Sequence, residues 1–263
     1  MLKFSKANAK IEQLEQVPEL EKFLQGGRKV YSLDLLSGHS CPFAEECLSK
    51  AVVQLDGKRK IQDGEKTKFR CFSASQEVQY TGVFNLRKNN YEFLRTLNTG
   101  ENIVERMAEE IDFALPATAG IVRIHVAGDF FNENYFKAWM RVARLNPTVL
   151  FYAYTKSLKY WVDNLDAIPN NLVLTASRGG RLDHLIRQHN LREARVVFSE
   201  FEAETLGLEV DHTDEHAAIP DIRDESFALL VHGTQPKGSK AADALKLLKR
   251  NQVKHSYSRK AGV

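Results

Sequence analysis

The sequence predicts an α/β fold, a (β/α)6-type partial barrel formed by a single domain of 263 residues. Three observations predict it. From residue 120 onward, short runs rich in Val, Ile, Leu and Phe alternate with segments of helical apolar spacing, the order that produces parallel strands with right-handed crossovers. Counted with the run at Val30–Leu36, about six such strands alternate with helices. Each run also ends in a polar or glycine-containing segment, and the carboxyl ends of parallel strands are where ligands bind. The alternative is an open doubly wound sheet.

The elements follow in order. Ile11 to Leu24 carries apolar residues at helical spacing and closes on Gly26-Gly27, so residues 1–29 are expected to be a peripheral helix. Val30-Tyr31-Ser32-Leu33-Asp34-Leu35-Leu36 reads as the first strand, broken by Gly38 and Pro42. Cys47 to Leu55 is expected to form a short helix, and Asp56-Gly57 with Asp63-Gly64 an exposed, turn-rich excursion. Residues 76–114 are mostly helical in pattern. Strands are then predicted at Ile121–Asp129, Val149–Lys156, Asn171–Ser177, Ala194–Ser199 and Phe227–Gly233, with helices at 134–145, 158–168, 181–189 and 241–250 between or after them. The chain closes on a basic tail, residues 251–263.

Composition narrows the class. Hydrophobic residues make up 43% and charged residues 27%, an ordinary globular balance. No apolar run reaches the ~20 residues that cross a bilayer, and the first residues lack the apolar segment of a secretory leader. A cytoplasmic protein without a membrane partner is expected. A net charge of +3 is too small to indicate nucleic acid by itself.

All three cysteines, Cys41, Cys47 and Cys71, lie between the first strand and the first long helical stretch. Three thiols cannot pair completely, and a reducing compartment disfavours disulfides. Three thiolates without a fourth suit a cluster with one open iron, or a zinc site completed by His39. Three buried, inert cysteines are the plain alternative. His125 and Asp129 share strand parity, which would let a histidine and a carboxylate meet for proton transfer; a core histidine is the competing reading. Tyr152, Tyr154 and Lys156 also share a face and would line a pocket with a cation at its mouth. Arg178-Gly179-Gly180-Arg181 offers donors for an anion or a plain turn, and Asp211, His212, Asp214, Glu215 and His216 read as a solvated acidic loop.

Ser37-Gly38-His39-Ser40-Cys41-Pro42, Phe69-Arg70-Cys71, Val122 to Phe131 and Phe151 to Ser157 resemble the phage and plasmid gene product 88 family over about residues 30 to 180. The layout is also similar to that of radical S-adenosylmethionine (SAM) enzymes, in which a partial six-stranded barrel carries three cysteines after its first strand. That similarity implies a [4Fe–4S] cluster on Cys41, Cys47 and Cys71, and SAM held by Gly128 and Asp129 with Ser177, Ser199 and His232 near its nucleoside. It places His125, Asp129, Tyr154 and Lys156 at the catalytic rim. The spacing here is Cys41-x5-Cys47-x23-Cys71 in place of the family's Cys-x3-Cys-x2-Cys, so residues 56–66 have to fold back to return Cys71. The substrate implied is a small molecule or nucleotide, with nucleic acid as a further partner and an electron donor for redox chemistry. Two other functions compete: a zinc-stabilised nucleic-acid-binding protein of a mobile element, and a barrel hydrolase or transferase using His125 and Asp129.

Overall fold

Continuous apolar runs become strands because parallel neighbours and packed layers bury both of their faces. In the computed structural model, which describes residues 1–253, the strands are β1 (Ser5–Lys6), β2 (Lys29–Leu33), β3 (Ser49–Val53), β4 (Arg59–Asp63), β5 (Ala119–Ile124), β6 (Leu150–Thr155), β7 (Leu172–Ser177), β8 (Glu193–Val197), β9 (Glu209–Val210) and β10 (Phe227–Leu230). The helices are α1 (Glu21–Leu24), α2 (Phe72–Gln79), α3 (Thr81–Thr96), α4 (Ile103–Ala114), α5 (Glu133–Leu145), α6 (Leu158–Val162), α7 (His184–Gln188), α8 (Glu200–Thr205), α9 (Glu215–Ala218) and α10 (Lys240–Arg250). All six strands expected from the sequence form. The basic tail from Lys254 lies outside the described residues.

Eight strands make one sheet in the order β1-β2-β5-β6-β7-β8-β10-β9. Only β1 runs antiparallel to its neighbour. From β2 to β10 the strands lie in chain order, without the reversal that defines a doubly wound sheet, so that alternative is not the architecture. The sheet ends on the two-residue strands β1 and β9, and β2 does not pair with β10. No helix among the described residues is long and apolar enough to cross a membrane.

Side-chain parity divides the core in two. Leu33, Val122, Ile124, Phe151, Ala153, Leu172 and Leu174 face α3, α4 and α5, where Trp139, Tyr135 and Phe136 are fully buried. α5 starts cleanly because the Asn132 side chain accepts the Tyr135 N–H. Val30, Ile121, Leu150, Tyr152, Val173, Ala194 and Phe227 face the other way. That second face is covered by Ile11, Leu14, Val17 and Leu20 from the N-terminal segment and by Ala217, Ala218 and Ile219.

The N-terminal segment is therefore neither peripheral nor one helix. It consists of 3-10 turns at Ile11–Gln16 and Pro18–Leu20 before the four-residue α1. Pro18 cannot donate to a continuing helix and drives Val17 to an extended conformation, while Ile11, Leu14 and Leu20 are completely buried. The helix expected over Cys47–Leu55 is instead the first strand of the β3–β4 hairpin. Val52 and Val53 favour a strand, and Gln54 to Lys58 close the turn, with Gly57 at φ +77°. The exposed excursion expected at 56–66 is thus mostly the return arm of that hairpin. The helices after β6 and β7 are shorter than helical spacing suggested, spanning only Leu158–Val162 and His184–Gln188.

Candidate thiol site at the carboxyl rim

Beyond its strand ends the chain stays ordered by a few buried acceptors. The Asp34 carboxylate receives the Val126 N–H at 2.7 Å, and Leu35 N–H donates to the Ala127 carbonyl, so the segments after β2 and β5 continue side by side. The turn at 36–40 is held from α2: Glu77, fully buried, accepts the Ser37 N–H (3.0 Å) and hydroxyl (2.8 Å) and pairs with Arg87. Gly38 sits at φ +69°, and a Cβ there would lie 2.4 Å from the Ser49 carbonyl. Only glycine fits a left-handed turn pressed against the hairpin in this way.

The hairpin performs the return that the cysteine spacing demanded. Ser49 pairs with Asp63, Gly64 N–H donates to the Leu48 carbonyl, and Lys68 and Phe69 N–H groups donate to Glu46. The Ser49 hydroxyl then receives the Cys71 N–H at 3.3 Å. Cys71 ends at the head of α2 as its N-cap. Three strand-end loops grip this thiol segment. Ala44 bridges Gly180, Glu46 N–H donates to the Gly179 carbonyl, and Arg181 N–H donates to Phe43. Gln235, after β10, brackets Arg70 by accepting its N–H at 2.7 Å and donating to its carbonyl at 3.0 Å. The Ser40 hydroxyl meets the Asp129 N–H at 3.4 Å.

The three thiols are half-buried and form no disulfide. Burial pushes the Cys41 thiol well up, reinforced by Asp129, Cys71 and Cys47. Burial likewise raises Cys71, to about 11, with Cys47 next in importance, while the amides of Ser73 and Ala74 at the head of α2 oppose the rise. Gly38 N–H donates to the Cys41 sulfur at 3.3 Å. Among the described residues, no three His, Cys, Asp or Glu side chains stand close enough to grip an ion as they are. The chemistry of the donor set nevertheless fits a soft metal: desolvated thiols with amide donors aimed at two sulfurs become thiolates once a cation supplies the missing charge. His39 is not a fourth ligand here, because it is exposed and its Nε2 bonds the Ala51 carbonyl at 3.1 Å.

The residues expected to hold SAM are otherwise engaged. Asp129 accepts the Phe130 N–H (2.7 Å), the Thr155 hydroxyl (2.6 Å) and the Lys156 N–H (2.8 Å), so its carboxylate ties β5 to β6. Burial raises it to about 6 against those bonds. Gly128 adopts φ +95°, and a Cβ on it would strike the Ser40 hydroxyl at 2.6 Å. Ser177 is bound by the Lys156 ammonium, which donates to its carbonyl, its hydroxyl and the Arg178 carbonyl. Ser199 caps α8 by accepting the Glu202 N–H, and Glu202 returns a bond from Phe198 N–H. The His232 ring packs on Phe72 at 4.7 Å.

His125 does not meet Asp129. β5 ends at Ile124, and His125 takes φ +68°, which breaks the strand parity that would have aligned the two. Its Nε2 bonds the Tyr135 hydroxyl at 2.9 Å, its ring packs on Phe130, and burial lowers it to about 3, so it is a neutral core histidine. Tyr154 and Lys156 do not share a pocket either, since Lys156 turns to the β7 loop. The Gly179 and Gly180 amides are taken by Asp183, which leaves the turn reading of that segment.

The acidic loop read as solvated is in fact buried: Asp211 is 3% and Asp214 0% exposed. Asp214 accepts from Tyr152 at 3.1 Å and Tyr154 at 3.3 Å and pairs with Lys10 at 2.5 Å and with Arg123. Burial works to raise its carboxyl, yet Arg123 and Lys10 outweigh it and hold the group down at about 2. Polar residues at one parity of otherwise apolar strands, Arg123, Tyr152 and Tyr154, are the signal that could have revealed a buried counter-charge.

Residues 2–250 match the family described as Gene product 88. The chain belongs to the gene product 88 family. Relatives include the Gene 88 protein of Mycobacterium phage L5, 34% identical over 90 residues, and that of Mycobacterium phage D29, 32% identical over 90 residues. In each case the match covers 33% of this chain and 38% of the phage protein. No solved structure matches this family member.

Proposed function

We propose that this gene product 88 protein is an iron–sulfur enzyme in which Cys41, Cys47 and Cys71 hold a cluster with one open coordination position at the carboxyl rim. The observation that carries this reading is the β3–β4 hairpin, which turns the chain back so that Lys68 and Phe69 bond Glu46 and the Cys71 N–H bonds Ser49, on either side of Cys47, across 23 intervening residues. Strands in chain order, with the thiol loop after the first of the six long parallel strands, support a partial (β/α) barrel layout similar to that of radical SAM enzymes. When bound, such a cluster supplies one-electron chemistry at its open iron. The protein's own part is to assemble the thiols, to aim the Gly38, Ser73 and Ala74 amides at the sulfurs, and to cover them with the loops after β5, β7 and β10. The SAM seat does not carry over, because Asp129, Ser177 and Ser199 are bound within the fold, and no step is assigned to that cofactor.

A closed zinc site is the weaker reading, since His39 is turned to Ala51. The hydrolase reading fails on the separation of His125 from Asp129.

Metal and sulfide analysis with a visible spectrum, on protein purified without oxygen, tests the proposal. About four irons and four sulfides per chain, with visible absorption lost in Cys71→Ala, is the expected result. One zinc in colourless protein, or thiols that bind no metal under either preparation, would overturn it.

A further inference from the structure

Beside the thiol segment, on the helix side of the rim, lies a cavity of about 540 Å³ between the turn at His39–Pro42, the end of α3 and the loop after β5. Its size falls in the ~300–1,000 Å³ range of small-molecule sites. Its lining combines two aromatic rings, Tyr91 and Phe131, which meet edge to face at 5.5 Å, with the side-chain NH2 groups of Asn98 and Asn132, whose oxygens are taken by Asn134 and by the Tyr135 N–H; Phe131 stacks its other face on Tyr135. The Arg95 guanidinium stands 5.6 Å over the Tyr91 ring and makes no ion pair among the described residues. No carboxylate lines the cavity. His39 also lines the cavity, its Nε2 donating to the Ala51 carbonyl at 3.1 Å.

Each element has a counterpart in one ligand class. Aromatic rings pack against a planar base, amide NH2 donors read acceptors on its polar edge, and a guanidinium at the mouth takes a phosphate. We infer that this cavity binds a single nucleotide, its base against Phe131 and Tyr91 and its phosphate on Arg95. This names the substrate class of the rim and rests on the rim being the working face. The cavity adjoins the thiol segment: Pro42, next to Cys41 in the chain, lines it, and Tyr91 donates to the His39 carbonyl at 2.9 Å. The nucleotide arrives either free or as one residue of a single strand.

Calorimetric titration of the full chain separates these cases. The probes are the four ribonucleoside 5′-monophosphates, the matching nucleosides, inorganic phosphate and a short single-stranded oligonucleotide. At least one monophosphate or the oligonucleotide is expected to bind at sub-millimolar concentration, and the corresponding nucleoside several-fold more weakly. Arg95→Gln should remove that difference and leave nucleoside binding unchanged. Thr99→Glu, at an exposed position of the lining, should abolish nucleotide binding without touching the core. Binding of the oligonucleotide alone, weakened by both variants, assigns the strand as the source; binding of the monophosphate assigns the free nucleotide. No binding by either, or binding no better than that of inorganic phosphate, overturns the inference. Metal analysis of the same wild-type protein keeps the two readings apart: nucleotide binding in protein that takes up no metal sinks the cluster alone, and metal-loaded protein blind to nucleotides sinks the cavity alone, while a triple Cys41→Ser, Cys47→Ser, Cys71→Ser variant is expected to keep its nucleotide binding.

Discussion

Asp214→Asn tests the electrostatics of the sheet's second face. The carboxylate is completely buried and is shared by Lys10, Arg123, Tyr152 and Tyr154. Asparagine keeps the shape and one acceptor but removes the charge, leaving two cations whose side chains are only 15% and 12% exposed. Removing one partner of a buried ion pair costs about 3–5 kcal/mol, because the remaining charge loses its compensation. The carboxyl's displacement from 3.8 to about 2 corresponds to about 2–3 kcal/mol at 1.36 kcal/mol per unit, in line with the lower end. At ~2–4 °C per kcal/mol for a chain of this size class, the variant should melt about 10 °C lower. Equilibrium urea unfolding should show the midpoint shift with an unchanged slope. Arg123→Met combined with Asp214→Asn should recover part of the loss, since it removes one of the two cations that the carboxylate neutralised and keeps an acceptor for the tyrosine hydroxyls. A loss below ~1 kcal/mol in Asp214→Asn, or a double variant as costly as the sum of its singles, would refute the reasoning.

Three further outcomes are expected. Asp129 titrates near 6 in the folded chain against 3.8 ordinarily, so between about pH 4 and 6 the folded protein holds a proton that the unfolded chain has released. Stability should therefore fall as pH rises through that window, and denaturation of Asp129→Asn should lack that slope; an identical pH profile in the variant counts against the assignment. Gly38→Ala should force the 36–40 turn away from the Ser49 carbonyl and, with folding preserved by circular dichroism, lower metal uptake by the thiols; unchanged uptake would show that the turn does not position them. Ser199→Ala should cost about 1 kcal/mol as a lost helix cap and leave metal content and nucleotide binding as they were, whereas a selective loss of binding would restore a ligand role to Ser199.

How much was legible follows from the reach of each signal. Six strands and the thiol loop were readable because apolar continuity, turn residues and cysteine clustering are local properties. The N-terminal segment misled because helical spacing and burial beneath a sheet produce the same apolar pattern, and only Pro18 marked the difference. The β3 strand was missed because five residues of ambiguous period do not separate strand from helix.

The sequence alone determined the parallel α/β class, the place of its long strands, and the confinement of all thiols to one loop region. Tertiary structure decided where Cys71 returns, beside Ser49 and Glu46, through a hairpin register that no spacing rule contains. It also turned His125 from the rim into the core, since one residue with positive φ reverses the face that alternation assigns. The same holds for Asp214: a carboxylate enters a protein interior only where cations accompany it, and Lys10 and Arg123 reach it only because the folded chain places them there.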